Sequence, residues 1–152
     1  TMMAEYGSCF GMKPIYYDPF VTVTKYRKCG ELKSLLEASD VISIHVHLMD
    51  STRHLLNKVN LVDLKTGCFL LNTSRGDIWD ESAVVELLKS KQIKGLATDV
   101  LSGELDDFQK SSLWLAQKAG YNIIITPHLG GATFDAMWAC EEDITSLVKG
   151  IK

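Results

Sequence analysis

Several features that define large protein classes are missing from this chain. Its 152 residues contain no apolar run near the ~20 residues that a membrane-spanning helix needs. Its longest basic stretch is Lys25–Lys28 and its formal net charge is -3, a balance that gives little support for binding nucleic acid. The sequence therefore predicts neither a membrane nor a nucleic-acid partner.

Closely spaced cysteine pairs are also missing. Cys9, Cys29, Cys68 and Cys140 are far apart in the sequence, and none belongs to a CxxC motif. Cys68 lies in an apolar run typical of a strand, whereas Cys9 and Cys140 lie in stretches typical of helices. This distribution favours reduced, mostly packed thiols in a cytoplasmic protein, with a single disulfide pair as the alternative.

The chain does contain enough apolar sequence for one globular domain. Hydrophobic residues make up 46% of it and charged residues 23%, and we find no internal repeat, low-complexity tract or linker. Short apolar runs alternate with amphipathic stretches, which is the pattern of a doubly wound parallel α/β sheet. The predicted strands are Lys13–Asp18, Val41–Val46, Cys68–Thr73, Gly95–Val100 and Asn122–Thr126.

Two of these strands lack polar alternation. Residues 69–71 and 123–125 are entirely apolar, as in strands that are buried on both faces. Helices fit between the strands, and Asp80 is a good N-cap for one of them, with acidic Glu81 in its first turn. The predicted helices are Thr1–Phe10, Glu31–Ala38, Lys58–Leu64, Glu81–Lys91, Ser111–Lys118 and Thr133–Lys149.

An acidic residue ends the first predicted strand. Asp18 stands before Pro19, where an aspartate of a dinucleotide-binding unit accepts hydrogen bonds from the adenosine ribose and disfavours a 2′-phosphate. A Gly-rich phosphate loop would then lie about 20 residues upstream, at or before Thr1. We therefore expect the chain to begin within the first helix, without the first strand and its phosphate loop. The alternative is that Asp18 is a turn residue.

His128 lies just past another predicted strand end. The apolar run Asn122–Thr126 stops at Pro127, which cannot donate to a sheet ladder. Ligands of open α/β sheets bind beyond the carboxyl ends of the strands, and a histidine there is suited to proton transfer. Gly130 and Gly131 follow and let the backbone pass close to a ligand. Taken alone, His128 is equally well explained as a loop histidine beside a glycine turn.

Two more charged residues follow neighbouring predicted strands. Arg75 follows one strand, and Glu104 lies five residues after Asp99, which closes another. Arg75, Glu104 and His128 can therefore converge on one edge of the sheet. An arginine can bind a carboxylate through two parallel hydrogen bonds, and a glutamate beside a histidine fixes its tautomer and favours the imidazolium. This combination suits acid–base chemistry on a substrate that carries a carboxylate.

The chain resembles the NAD-binding domain of the D-isomer-specific 2-hydroxyacid dehydrogenases over essentially all of residues 1–152. The resemblance implies a Rossmann-like fold, NAD as cofactor and hydride transfer between NAD and a small D-2-hydroxy acid. It is greatest for the branch similar to phosphoglycerate dehydrogenase, and it implies a partial dinucleotide-binding domain whose substrate-binding domain lies outside this chain. The segments that carry it are Gly11–Pro19, Ser39–Thr52, Leu64–Asp80, Lys94–Glu104 and Ile123–Thr133.

The resemblance also implies roles for single residues. Arg75 would bind the substrate carboxylate, His128 would be the catalytic acid and base, and Glu104 would be its hydrogen-bonded partner. Asp18 would bind the ribose, and Asp99 would hold the nicotinamide carboxamide. The other residues expected to line the cofactor are Pro19, Val46, Thr52, Thr73, Ser74, Gly130 and Gly131, with Arg75 and His128 on the nicotinamide side.

One residue departs from the family pattern. His47 stands where the family usually has a proline, after His45-Val46. His45 and His47 share one face if the strand continues, but no further ligand is evident near them, so we predict no metal site. His47 would instead alter the loop beside the adenine.

We therefore predict an NAD-dependent dehydrogenase in the complete protein, with little or no catalysis by residues 1–152 alone. A non-catalytic NAD(H)-sensing module on the same fold is the alternative, although a sensor needs no acid–base set. A formate-dehydrogenase-like enzyme is disfavoured by Glu104, because that branch does not pair its histidine with a carboxylate here. The resemblance also implies a homodimer through this domain, and helix Ser111–Lys118 with the loop before it is the candidate contact.

Overall fold

The computed structural model describes residues 2–21, 25–131 and 133–150. Strands and helices alternate along most of this part of the chain, as the sequence predicts. The strands are β1 (Ile15–Tyr16), β2 (Arg27–Lys28), β3 (Val41–Ile44), β4 (Cys68–Asn72), β5 (Ile93–Thr98) and β6 (Ile123–Ile125). The helices are α1 (Met2–Cys9), α2 (Leu32–Ala38), α3 (Glu81–Lys89), α4 (Glu104–Asp107), α5 (Ser112–Lys118) and α6 (Phe134–Gly150).

The strands form two parallel arrangements. β3, β4, β5 and β6 lie side by side in that order, and β1 pairs with β2 separately. The predicted α/β fold with a parallel sheet is therefore confirmed. β2 was not predicted, because its two residues are both exposed and carry no apolar signal. Since β3 to β6 all run in one direction, the segments that follow them emerge at one edge of the sheet.

One face of the larger sheet carries the core. Ile42, Leu70, Leu96 and Ile123 are aligned across the four strands, and all are buried. Each buried side chain of this size contributes about 1.5–3 kcal/mol by leaving water. α2, α3 and α5 complete the same cluster with residues that include Leu36, Val84, Leu88, Leu113 and Ala116.

The opposite face is covered less completely. Ile124 is 63% exposed and Phe69 is 39% exposed. The prediction that the apolar runs 69–71 and 123–125 are buried on both faces is therefore wrong. Successive side chains of a strand point to opposite faces, so each run places residues on both the covered and the open side.

Two predicted helices differ in the structure. Lys58–Leu64 contains only a 3-10 turn, Leu61–Asp63, because the side chains of Asn57 and Asn60 bond to nearby backbone groups that a helix would use. α3 ends at Lys89, and Lys91 has a left-handed φ of 61°. The predicted cap of α3 is confirmed, since Asp80 Oδ1 accepts from the Ala83 amide at 3.1 Å.

The cysteines are free, as predicted, but only half of them are packed. Cys29 and Cys68 are buried, whereas Cys9 and Cys140 are exposed on helices. Burial raises the pKa of the Cys68 thiol above its ordinary value. No helix in the described part of the chain is both long and apolar enough to cross a membrane.

Candidate active site

The carboxyl edge of the larger sheet gathers most of the predicted site residues. Thr73 to Arg75 follow β4, Asp99 follows β5, and Thr126 to His128 follow β6. Parallel pairing in register brings these loops side by side. This is the edge where open α/β sheets bind their ligands.

The structure brings Glu104 and His128 together at this edge. Glu104 Oε1 lies 2.6 Å from His128 Nδ1, and the second oxygen of Glu104 accepts from the Leu101 amide at 2.9 Å. An ionised carboxylate only accepts, so Nδ1 must carry the proton of this hydrogen bond. Nε2 is then the ring nitrogen that remains for exchange with a substrate.

A second carboxylate holds the backbone around His128. Asp99 accepts from the amides of Leu129 at 2.9 Å and Gly130 at 2.8 Å, and also from the hydroxyl of Thr126. His128 has a left-handed φ of 53°, a conformation that residues other than glycine adopt at a cost of about 1–2 kcal/mol. The bonds to Asp99 offset this cost by fixing the turn on both sides of the histidine.

The electrostatics of Asp99 follow from these contacts. Burial, the largest single effect, would raise its pKa, but the hydrogen bonds from Thr126, Leu129 and Gly130 together outweigh it and lower the pKa. These three donors occupy three of the about four acceptor sites of a carboxylate. One site on Oδ2 is left, which is what a single hydrogen bond to a carboxamide requires.

Arg75 is positioned by a buried asparagine whose role the sequence does not predict. Asn72 is fully buried at the end of β4; its Nδ2 donates to the Arg75 carbonyl at 3.0 Å and its Oδ1 accepts from the Ser74 amide at 3.0 Å. Ser74 Oγ donates to the Ile44 carbonyl at 3.0 Å, which fastens this loop to β3. The exposed Arg75 guanidinium donates to the Ser74 carbonyl at 2.6 Å.

A shallow groove of about 150 Å³ lies against the sheet beside these loops. Leu71, Ala97 and Ile124 form its apolar floor, and the polar residues Thr73, Asp99 and Thr126 are at its carboxyl end. Met3 of α1 also lines the groove. An apolar surface with hydrogen-bonding groups at one end fits a flat aromatic amide such as nicotinamide.

Two of the residues predicted for the adenosine end, Asp18 and Thr52, make local hydrogen bonds. Asp18 Oδ1 accepts from the amides of Phe20 at 2.8 Å and Val21 at 3.0 Å, and these bonds, that of Val21 first, lower its pKa. Asp18 therefore shapes its own turn, as the alternative explanation of this residue requires. Thr52 Oγ1 likewise donates to the His47 carbonyl at 2.6 Å.

The other predicted residues differ in their surroundings. Val46 packs against the core, whereas Pro19 is exposed. His45 Nε2 lies 2.8 Å from Ser43 Oγ, and burial lowers the pKa of His45. Among residues 2–21, 25–131 and 133–150, no group of three or more His, Cys, Asp and Glu side chains could hold a metal ion.

Comparison with known proteins extends these observations. The family model described as "D-isomer specific 2-hydroxyacid dehydrogenase, NAD binding domain" matches residues 1–130. The chain is 36% identical over 145 residues to D-lactate dehydrogenase kk1H of Curvularia clavata, covering 89% of this chain and 42% of the relative. It is 35% identical to hydroxypyruvate reductase of Thermotoga maritima, covering 88% of this chain and 43% of the relative. The chain thus spans less than half the length of these relatives.

Solved structures give the same result. One of them is the crystal structure of D-lactate dehydrogenase from Aquifex aeolicus complexed with NAD and lactic acid. The match covers 96% of this chain and 48% of that enzyme's chain, with a TM-score of 0.83 and 30% sequence identity. D-2-hydroxyisocaproate dehydrogenase matches 99% of this chain and 50% of its own with a TM-score of 0.85 and 25% identity. The chain therefore belongs to the family of D-isomer-specific 2-hydroxyacid dehydrogenases, and the part that it matches is their NAD-binding domain.

Proposed function

We propose that the complete protein containing this chain interconverts a small D-2-hydroxy acid and the corresponding 2-keto acid with NAD. The observation that carries the proposal is the Glu104–His128 pair, at 2.6 Å, beyond the carboxyl ends of parallel strands. A protein that only bound the dinucleotide would need no histidine with a fixed tautomer. The relatives in this family support the same reaction class.

His128 moves the proton in this reaction. In oxidation, neutral Nε2 accepts the proton of the substrate hydroxyl while Nδ1–H stays on the Glu104 carboxylate. NAD, when bound, would accept the hydride that leaves the substrate carbon bearing this hydroxyl. In reduction the imidazolium returns its Nε2 proton to the oxygen of the keto group, and the hydride for the keto carbon would come from bound NADH. Glu104 stabilises the imidazolium because its negative charge lies beside the ring.

Arg75 binds the substrate carboxylate. Its guanidinium is exposed at the same edge, and its backbone is fixed by the buried Asn72. A planar guanidinium matches a carboxylate with two parallel hydrogen bonds, which orients the substrate carbon rather than only attracting charge. The guanidinium would leave the Ser74 carbonyl, its partner in this structure, to make these bonds.

The cofactor residues follow from the groove and its rim. Thr73 and Asp99 line the groove, and the neighbouring loops after β4 and β6 contain Ser74, Gly130 and Gly131. These residues would hold the nicotinamide end, with Asp99 offering one remaining acceptor site to the carboxamide. At the other end Asp18 would meet the ribose and disfavour the 2′-phosphate of NADP. Pro19, Val46 and Thr52 would line the adenosine portion.

Substrate and assembly extend the proposal beyond this chain. We propose that it acts as a partial dinucleotide-binding domain together with a separate substrate-binding domain. D-3-phosphoglycerate or a related 2-hydroxy acid is the proposed substrate, and a D-3-phosphoglycerate dehydrogenase of Bacillus subtilis is 32% identical to this chain over 157 residues. The unpaired cysteines fit a cytoplasmic location. A homodimer is proposed through α5 and the loop before it.

The test is a comparison of turnover in the complete protein. NADH oxidation is followed by absorbance with a panel of 2-keto acids for the wild type, His128→Ala, Arg75→Ala and the surface control Val59→Ala. We expect His128→Ala to lose at least about 100-fold in kcat, since acid–base catalysis is worth about 10²–10⁴-fold. Arg75→Ala should raise KM for the keto acid as well as lower kcat. NADH binding with no turnover by the wild type would favour the sensing module instead.

A further inference from the structure

The loop that carries Glu104 is fastened to the segment that follows Arg75. The Ser102 amide donates to Glu81 Oε1 at 2.8 Å, and the Ser102 hydroxyl donates to Asp77 Oδ1 at 2.6 Å. One of these carboxylates, Asp77, lies between β4 and α3, and the other, Glu81, is the first residue of α3. The hydrogen bond from Ser102 is also the main reason that the pKa of Asp77 is lowered, and Arg53 lowers it further.

The two backbones also touch directly. A Cβ placed on Gly76 would lie 2.2 Å from the Leu101 carbonyl carbon and 2.3 Å from the Ser102 nitrogen. Only glycine allows this approach, since real Cβ atoms do not come so near to backbone. The loop of Glu104 is thus built against the residue that immediately follows Arg75.

Glu81 is buried in a way that helix formation does not require. It is 7% exposed, and its second oxygen accepts from the Ser111 hydroxyl at 2.7 Å. An acidic residue in the first turn stabilises the helix dipole of α3 equally well when it is exposed. An exposed residue would also avoid the free-energy cost of burying a carboxylate. Burial is favourable here because both oxygens accept hydrogen bonds from loop residues.

A continuous set of bonds then runs from Glu81 to the histidine. Ser102 and Leu101 are consecutive, so a bond that fixes the Ser102 amide also aims the Leu101 amide, which donates to Glu104 Oε2 at 2.9 Å. The other oxygen of Glu104 meets His128. We infer that Glu81 is a positioning residue for the Glu104–His128 pair, acting through the backbone of Ser102. This inference rests on the proposed function.

The first test changes the acceptor while keeping the length of the side chain, in the complete protein. Glu81→Met removes both acceptors, whereas Glu81→Gln keeps an oxygen for the Ser102 amide and an NH₂ for Ser111 Oγ. We expect Glu81→Met to lower kcat by about tenfold, because small misplacements of catalytic groups cost up to about 100-fold. KM for NADH should stay within about twofold, since Glu81 is not among the residues that line the groove. Glu81→Gln should restore most of kcat.

A matched control separates positioning from general loss of stability. Val84→Ala removes part of a fully buried side chain on the same helix, with no bond to the Ser102 loop. It should lower Tm at least as much as Glu81→Met and leave kcat near the wild-type value at a temperature where both are folded. Equal losses of kcat in the two variants, or wild-type kcat in Glu81→Met, would overturn the inference.

The second test does not depend on turnover. Nitrogen NMR of the complete protein labelled in histidine, at alkaline pH where neutral rings are observed, reports which ring nitrogen of His128 is protonated. The signal is assigned by its loss in His128→Gln. We expect the Nδ1–H form in the wild type and Glu81→Gln, and a mixture in Glu81→Met. If the tautomer of His128 is unchanged in Glu81→Met, the positioning role is refuted. If the tautomer shifts as expected but the wild-type protein shows no turnover, only the proposed reaction is refuted.

Discussion

The Gly130 amide lies 2.8 Å from Asp99 Oδ2, so a carboxylate at the end of β5 fixes the backbone of the turn that bears His128. Hydrogen bonds hold the pKa of Asp99 below its ordinary value, although burial acts in the opposite direction. The folded state therefore favours the ionised form. Asp99 contributes stability that is complete above the unfolded aspartate pKa, about 3.9, and is lost as pH falls through the lower folded value.

The first prediction concerns this pH window. In the complete protein, Asp99→Asn should lower Tm at neutral pH. The side-chain NH₂ of asparagine is a donor, and it would face a backbone N–H whose hydrogen bond the carboxylate accepts. The decline of Tm below about pH 4 should be shallower in Asp99→Asn than in the wild type, because the proton-linked contribution is gone. Circular dichroism melts between acidic and neutral pH measure both effects. Parallel curves for the two proteins would show that Asp99 is not the linked group.

The second prediction concerns the choice of cofactor. Asp18→Asn keeps an oxygen for the amides of Phe20 and Val21 but removes the charge that would repel a 2′-phosphate. We expect the wild type to prefer NADH strongly over NADPH and Asp18→Asn to lose at least about tenfold of that preference, or about 1.4 kcal/mol. The measurement is kcat/KM for each cofactor with one keto acid. Equal kcat/KM values for the wild type would contradict the role of Asp18.

The third prediction concerns assembly. Leu105 is 97% exposed and Leu115 is 57% exposed, and in the sequence they flank Phe108 and Trp114, whose rings form an edge-to-face pair. If this surface is the dimer contact, Leu105→Asp combined with Leu115→Asp should convert the complete protein to a monomer. Light scattering after gel filtration gives the mass. Val59→Asp, at a residue that is 83% exposed, is the control and should leave the dimer intact. A double variant that stays dimeric would exclude this surface.

The fourth prediction concerns the start of α3. Asp80 caps this helix through the Ala83 amide, so Asp80→Ala should lower the free energy of unfolding by about 1 kcal/mol. Asp80→Asn keeps a capping oxygen and should cost less. Urea unfolding of the complete protein gives the free energy of unfolding of the wild type, Asp80→Ala and Asp80→Asn. Equal destabilisation by Ala and Asn would mean that charge, rather than the cap, is what α3 requires.

Local patterns were enough to predict much of the fold and the proximity of Glu104 to His128. Apolar runs located five of the six strands, and Pro127 correctly marked the end of β6. The apolar pattern could not show that Ile124 lies on the exposed face of the sheet. The sequence of an apolar strand is the same whether or not another element covers that face. It also could not predict α4, whose four residues are too few for helical periodicity.

The contacts that hold the site depend on tertiary proximity. Glu81 reads in the sequence as a favourable acid in the first turn of a helix, and Ser102 as a loop residue. Only the folded chain places the Ser102 amide 2.8 Å from Glu81 across 21 residues of sequence. The burial of Asn72 under the Arg75 loop is equally invisible in the sequence, since its bonds run to backbone groups.

The left-handed backbone of His128 has a consequence for substitutions at this position. Glycine would occupy this position without strain, and the cost of about 1–2 kcal/mol is incurred by keeping a side chain there. His128→Gly would relieve this strain but would also remove the hydrogen bond between Nδ1 and the Glu104 carboxylate, so its two effects on stability oppose each other.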